Sequence, residues 1–180
     1  IWELSAYHAD VGFNYSGMAG GIAAHLARHG KGRVLCLADG IGDLTLACLK
    51  AGLDPVYHDL KGSRTEQFAR FRLWAHAKRQ PGFHCTTGWE PDLGGPYSAI
   101  VSLDFLEHCP DVEAWTMAIY DSLAPGGLFL AQNAFAQGSG SQGSIPCHLD
   151  RNDHYVVDWD LLLEHIGFLR EPGSNWWRKP

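Results

Sequence analysis

Short apolar runs alternate along this chain with stretches whose apolar residues recur every three or four positions. From Met18 to Arg28, Ile22 and Leu26 stand four apart among alanines, which predicts a helix stopped by Gly30 and Gly32. Arg33 to Ala38 is a compact apolar run and predicts a buried strand. A helix is expected over Asp43 to Ala51, ended by Gly52, and a second strand over Pro55 to Asp59. Ser63 to Lys78 predicts a helix with Phe68, Phe71, Leu73 and Trp74 as apolar anchors, closed by Pro81-Gly82. Phe83 to Thr87 predicts a third strand, and Pro91 to Pro96 a turn-rich link. Tyr97 to Leu103 is a strong strand pattern. Val112 to Leu123 predicts a helix, Pro125-Gly126-Gly127 a turn and Leu128 to Ala131 a strand. Gln137 to Ser144 is rich in glycine and serine and predicts a loop. Trp159 to Ile166 predicts a helix capped by Gly167. Phe168 to Glu171 and Asn175 to Arg178 flank Pro172-Gly173-Ser174 and predict a terminal hairpin.

Strands that alternate with helices imply an α/β fold, with a mostly parallel sheet covered on both faces. Crossovers are right-handed, so the loops that follow the strands gather at one edge, where such sheets bind ligands. This singles out the loops after Ala38, Asp59, Thr87, Leu103 and Ala131. A length of 180 residues fits a single domain, with 1–30 as an amino-terminal helical segment and 31–180 as the core.

Composition narrows the partners. Apolar residues make up 46% and charged residues 19%, as in ordinary globular proteins. No apolar run approaches the roughly 20 residues of a membrane helix, so no membrane partner is expected. The formal net charge is −6, and the densest basic segment, Arg64 to Arg79, reads as the polar face of a helix. Nucleic acid is therefore not expected as a partner. The five cysteines, Cys36, Cys48, Cys85, Cys109 and Cys147, show no C-x-x-C spacing. That argues against a disulfide framework or a zinc site, so no metal is expected, and reduced thiols fit a cytoplasmic protein.

The candidate chemistry starts at Ala38-Asp39-Gly40-Ile41-Gly42-Asp43, between a strand and a helix. Glycine permits positive φ and close approach of a ligand, and a helix amino terminus offers N–H groups to an anion. A tight turn without a ligand has the same pattern. Asp59 ends the second strand, 17 residues past Gly42, where a carboxylate can accept both hydroxyls of a ribose. It could equally cap a helix. Together these features indicate a nucleoside cofactor. A nicotinamide site prefers G-x-G-x-x-G, and here Thr45 stands at the third glycine position.

Val34-Leu-Cys-Leu-Ala-Asp-Gly-Ile-Gly42, Ser102-Leu-Asp-Phe-Leu-Glu-His-Cys-Pro-Asp111, Leu123-Ala-Pro-Gly-Gly-Leu-Phe-Leu130 and Gly167-Phe168 occur in that order. The set resembles class I S-adenosylmethionine-dependent methyltransferases, over roughly Lys31 to Lys179. The resemblance implies a three-layer Rossmann-like fold, with a mostly parallel seven-stranded sheet and an antiparallel edge strand. It implies S-adenosylmethionine as cofactor and S-adenosylhomocysteine as product. By position, Ala38, Gly40 and Gly42 would line the methionine part, while Asp59 and Leu60 would hold ribose and adenine. Gly88 and Trp89 would meet adenine, and Leu103 and Asp104 would lie near the reacting methyl. Leu106, Glu107 and His108 would begin the following helix. Three departures stand out: Cys36 where the family has an acid, Ala38 for a glycine, and Asp39 for a small residue. Asp39 is a candidate to take over the missing acid's role toward the cofactor's ammonium group.

Methyl transfer from a sulfonium is an in-line displacement that needs alignment and a dry site. A general base is needed only where the acceptor loses a proton; His108, His148 and His154 are the candidates, beside Asp153 and Tyr155. Residues 134–158 are expected to form a lid loop over the methyl, with Tyr7 to Met18 on the other side. Ser102-Leu-Asp-Phe105 is no D-P-P-Y motif, which argues for a small-molecule acceptor (O, N or C) over DNA. The alternatives are a non-catalytic methyltransferase-like module and a NAD-dependent oxidoreductase.

Overall fold

The computed structural model describes residues 15–30, 32–135 and 148–180. The chain divides into two compact units, Ile1–Gly88 and Trp89–Pro180.

In the first unit, helix α1 (Tyr15–Arg28) precedes strand β1 (Arg33–Leu37), helix α2 (Asp43–Lys50) and strand β2 (Asp54–Tyr57). Helix α3 (Arg64–His76) and the short strand β3 (Gly82–Phe83) follow. Ala19, Ala23 and Leu26 form the buried stripe of α1, which packs on α2. Val34 to Leu37 are all buried, as expected of a strand covered on both faces. β1 pairs in parallel with β2, from Arg33 opposite Asp54 to Cys36 opposite Tyr57. β2 pairs in parallel with β3.

Helix α3 starts with a reciprocal cap. Ser63 Oγ accepts the Glu66 N–H at 2.9 Å, and Glu66 Oε2 accepts the Gly62 N–H at 3.1 Å. Its buried face is Glu66, Ala69 and Leu73, spaced as a helix stripe. Phe71 and Trp74, expected as anchors, lie on the other side and are 64% and 71% exposed. β3 is also shorter than its apolar pattern suggested, although His84 N–H still donates to Tyr57 O at 3.0 Å.

In the second unit, strand β4 (Tyr97–Leu103) leads to a 3₁₀ turn at Leu106–His108 and to helix α4 (Val112–Ser122). Strand β5 (Leu123–Gln132), a 3₁₀ turn at Asp150–Asn152, helix α5 (Tyr155–Ile166), and strands β6 (Leu169–Arg170) and β7 (Trp176–Arg178) complete it. Pro125-Gly126-Gly127, expected as a turn between elements, is an excursion within β5. Tyr97 pairs with Leu123 and Ala99 already with Leu128, so the extra residues loop out of register. Gly126 takes φ 72° there. Asp111 caps α4 by accepting the Ala114 N–H at 2.9 Å. α5 begins at Tyr155, so Tyr155 to Asp158, placed in the expected lid loop, are helical. Its end at Gly167 follows the pattern, with φ 110°. β7 runs antiparallel to both β5 and β6. Trp115, Phe129, Leu163 and Phe168 are buried in this unit.

The strand order is β3-β2-β1-β4-β5-β7-β6 in one seven-stranded sheet, the α/β architecture expected. Among the described residues no helix is long and apolar enough to cross a membrane. The expected glycine-rich segment Gly138 to Ser144, Cys147, and Tyr7 to Phe13 lie outside the described residues.

Candidate active site

The loop after β1 is built around Asp39. The residue is 4% exposed. Its Oδ1 accepts the Leu44 N–H at 3.0 Å and its Oδ2 the Thr45 N–H at 2.7 Å. Both amides belong to the first turn of α2, so the carboxylate caps that helix from the preceding loop. Burial pushes the Asp39 carboxyl up to about 7, against the pull of these donors. Asp39 is also the candidate partner for an ammonium group; each of its oxygens accepts one amide of the helix and keeps a second lone pair.

Around it the backbone is unusual. Ala38 takes φ 52° and Gly40 φ 53°, both left-handed. Among the described residues, no atom lies within 4 Å of where a Cβ on Gly40 would stand, so none of them covers that face of the turn. Gly42 has φ 86°, and a Cβ there would meet Leu73 at 3.3 Å. Arg72 of α3 pins the turn by donating to Ile41 O at 2.9 Å and pairing with Asp43.

Asp59 is tied to the same loop by a residue the sequence pattern did not single out. Tyr57 Oη lies 2.7 Å from Gly40 O and 3.2 Å from Asp59 Oδ2, and can donate to either. The signal was available: Tyr57 and Asp59 are two apart, hence on one side of an extended segment. Asp59 Oδ1 accepts the Leu60 N–H at 2.7 Å. Burial raises the Asp59 carboxyl above its ordinary value, opposed by the Leu60 and Tyr57 donors. Leu60 is 39% exposed. Gly88 closes this unit, its carbonyl 3.3 Å from Thr86 Oγ1.

In the second unit, Trp89 presents a half-exposed ring, while its carbonyl accepts the Trp115 indole N–H at 3.0 Å. Leu103 is buried, and Asp104 takes φ 50°, with its N–H donating to Gln132 O at 2.8 Å. The strained backbone at Asp104 marks the sharp exit from β4.

The next turn holds a polar cluster. Glu107 is 1% exposed, and its Oε1 accepts the Ala134 N–H at 2.8 Å. His148 is buried, and its Nδ1 donates to Ala134 O at 3.1 Å. The His108 and His148 rings meet edge to face, 4.6 Å between centroids. Glu107, His108 and His148 can each place one ligating atom within 4.8 Å of the others. Burial raises the Glu107 carboxyl. Burial, then the adjacent His108, lowers the His148 imidazole and favours its neutral form. His154 lies apart from this cluster at the exposed start of α5, its Nδ1 donating to Arg151 O at 2.8 Å. The sequence pattern picked out both clustered histidines but gave Glu107 no site role, because a lone glutamate in a helix-start motif carries no signal of burial.

Comparison with known proteins places this geometry in context. The family described as "Methyltransferase domain" matches residues 19–178. No curated protein sequence matches the chain. Among solved structures, a S-adenosylmethionine-dependent methyltransferase from Clostridium acetobutylicum is similar at 16% identity, with TM-score 0.60, over 72% of this chain and 55% of the other. An O-methyltransferase family protein from Burkholderia thailandensis gives 15% identity and TM-score 0.64, over 91% and 56%. An amino pentose methyltransferase from Micromonospora echinaspora, solved with S-adenosylmethionine bound, gives 22% and 0.61, over 77% and 59%. The chain thus spans little more than half the length of each of these three proteins.

Proposed function

The chain belongs to the methyltransferase domain family, and on that premise we propose that it transfers a methyl group from S-adenosylmethionine to an O, N or C atom of a small molecule. The observation that carries this reading is the Gly40 turn, uncovered on one face among the described residues and linked through Tyr57 to Asp59. Ala38, Gly40 and Gly42 line the methionine part of the cofactor, and Asp39 sets their backbone by capping α2. Asp59 accepts the ribose hydroxyls, with Leu60, Gly88 and Trp89 toward the adenine. Leu103 and Asp104 lie near the methyl. Where the acceptor must lose a proton, His108, His148 or His154 takes it. The protein acts in the cytoplasm.

Asp39 also argues against a nicotinamide dinucleotide. Such cofactors seat their pyrophosphate on a helix amino terminus. Here Asp39 already accepts the Leu44 and Thr45 amides, so an anion at that terminus finds fewer donors.

The test is calorimetry with S-adenosylhomocysteine on the wild-type chain and on Asp59→Ala. Wild type is expected to bind, and the variant to bind at least several-fold more weakly, since a charged hydrogen bond contributes about 1.5–3 kcal/mol. Equal affinities would sink the ribose assignment. No binding of S-adenosylhomocysteine by wild type would favour a non-catalytic module.

A further inference from the structure

The Glu107, His108 and His148 cluster holds more than a general base requires. Two imidazoles and a carboxylate form a donor set suited to divalent first-row metals, with coordination positions left open. Among the described residues, Glu107 Oε2 has no hydrogen-bond partner, although the residue is 1% exposed. A buried carboxylate oxygen without a donor is costly, and a cation beside it removes that cost.

The surroundings orient the ligands. Ala134 uses its N–H on Glu107 Oε1 and its carbonyl on the Nδ1–H of His148. The second contact fixes the His148 tautomer and leaves its Nε2 as the lone-pair nitrogen. Asn152 Nδ2 donates to Glu107 O at 3.1 Å and Cys109 O at 3.0 Å, and the Leu149 N–H donates to Glu107 O at 3.2 Å. The segment that carries His148 is thereby fastened to the turn that carries Glu107 and His108.

We propose that Glu107, His108 and His148 bind one divalent metal ion of the zinc or manganese class. Donor atoms around such an ion, at about 2.1 Å from it, lie roughly 3–3.5 Å apart. Small side-chain rotations from the present arrangement complete the set. The site uses none of the residues assigned to the cofactor, so it stands whether or not that assignment does. With an ion bound, the lone pairs of His108 and His148 are engaged, and of the three candidate histidines only His154 keeps one for proton transfer.

The test is calorimetric titration of the full chain, treated with chelator and dialysed, with Zn²⁺ and Mn²⁺; Mg²⁺ serves as a hard-cation control. One ion of Zn²⁺ or Mn²⁺ is expected per chain, bound more tightly than Mg²⁺. Glu107→Gln and His148→Ala are each expected to weaken binding at least about tenfold. His108→Ala, at a half-buried position, is the variant to rely on if the buried substitutions unfold the chain by circular dichroism. Absence of one-to-one binding in wild type overturns the proposal. So does unchanged affinity in any folded variant, which would place the ion elsewhere, for instance on a thiol.

Discussion

At the scale of single residues, the turn after β1 holds a run of left-handed backbone at Ala38, Gly40 and Gly42. Ala38 occupies a left-handed conformation at φ 52°, which costs a non-glycine residue about 1–2 kcal/mol. Glycine would remove that strain but loses roughly 0.5–1 kcal/mol more to unfolded-chain entropy. Ala38→Gly is therefore expected to stabilise the protein by up to about 1 kcal/mol in urea unfolding. Clear destabilisation would mean that the methyl carries packing that outweighs the strain. Asp39 sets a pH dependence. Its carboxyl titrates at about 7 when folded against an ordinary value of 3.8, so the native state holds the extra proton between the two. Its contribution to stability is greatest below about pH 4, falls as pH rises to about 7 and is level above. Relative to Asp39→Asn, wild type should lose up to about 4 kcal/mol across that window. A difference that stays flat from pH 4 to 7 would refute the sign. The sequence showed that Asp39 was out of pattern, but not where its oxygens point, because that depends on α2 folding back over them.

At the scale of elements, the alternation of apolar runs revealed the sheet and its helices, and Tyr97–Leu103 matches its run end to end. Misjudged boundaries have local causes. β5 absorbs Pro125-Gly126-Gly127 as an excursion, which a glycine pair next to proline does not distinguish from a true turn. α5 starts early because Tyr155 packs on Phe135, with ring centroids 5.5 Å apart, a contact invisible to local periodicity. In α3 every large apolar residue looked equally usable, yet Leu73 alone of the four anchors is fully buried, beside Leu46 and Tyr57. Leu73→Ala is expected to cost about 2–5 kcal/mol. Trp74→Ala, at 71% exposure, should cost less than about 0.5 kcal/mol in the same unfolding assay. Similar losses for both would show that the helix buries a different face in solution.

At the scale of the whole molecule, charge makes its own prediction. With a formal net charge of −6, the chain should show no saturable, salt-sensitive binding to a labelled DNA duplex at about 0.15 M salt, by fluorescence anisotropy. Tight binding would reopen nucleic acid as the acceptor. The metal-type cluster was half legible: both histidines stood out as titratable, but His108 and His148 are 40 positions apart and only tertiary structure joins them. The order of β5, β7 and β6 carries one more consequence. β7 comes after β6 in the chain yet lies between it and β5. Until Trp176–Arg178 dock, β5 has a bare row of amides and carbonyls along that side. Synthesis delivers that strand after all its neighbours, so a nascent or truncated chain passes through a stage primed to pair with another molecule, and its safety against aggregation depends on three residues arriving late.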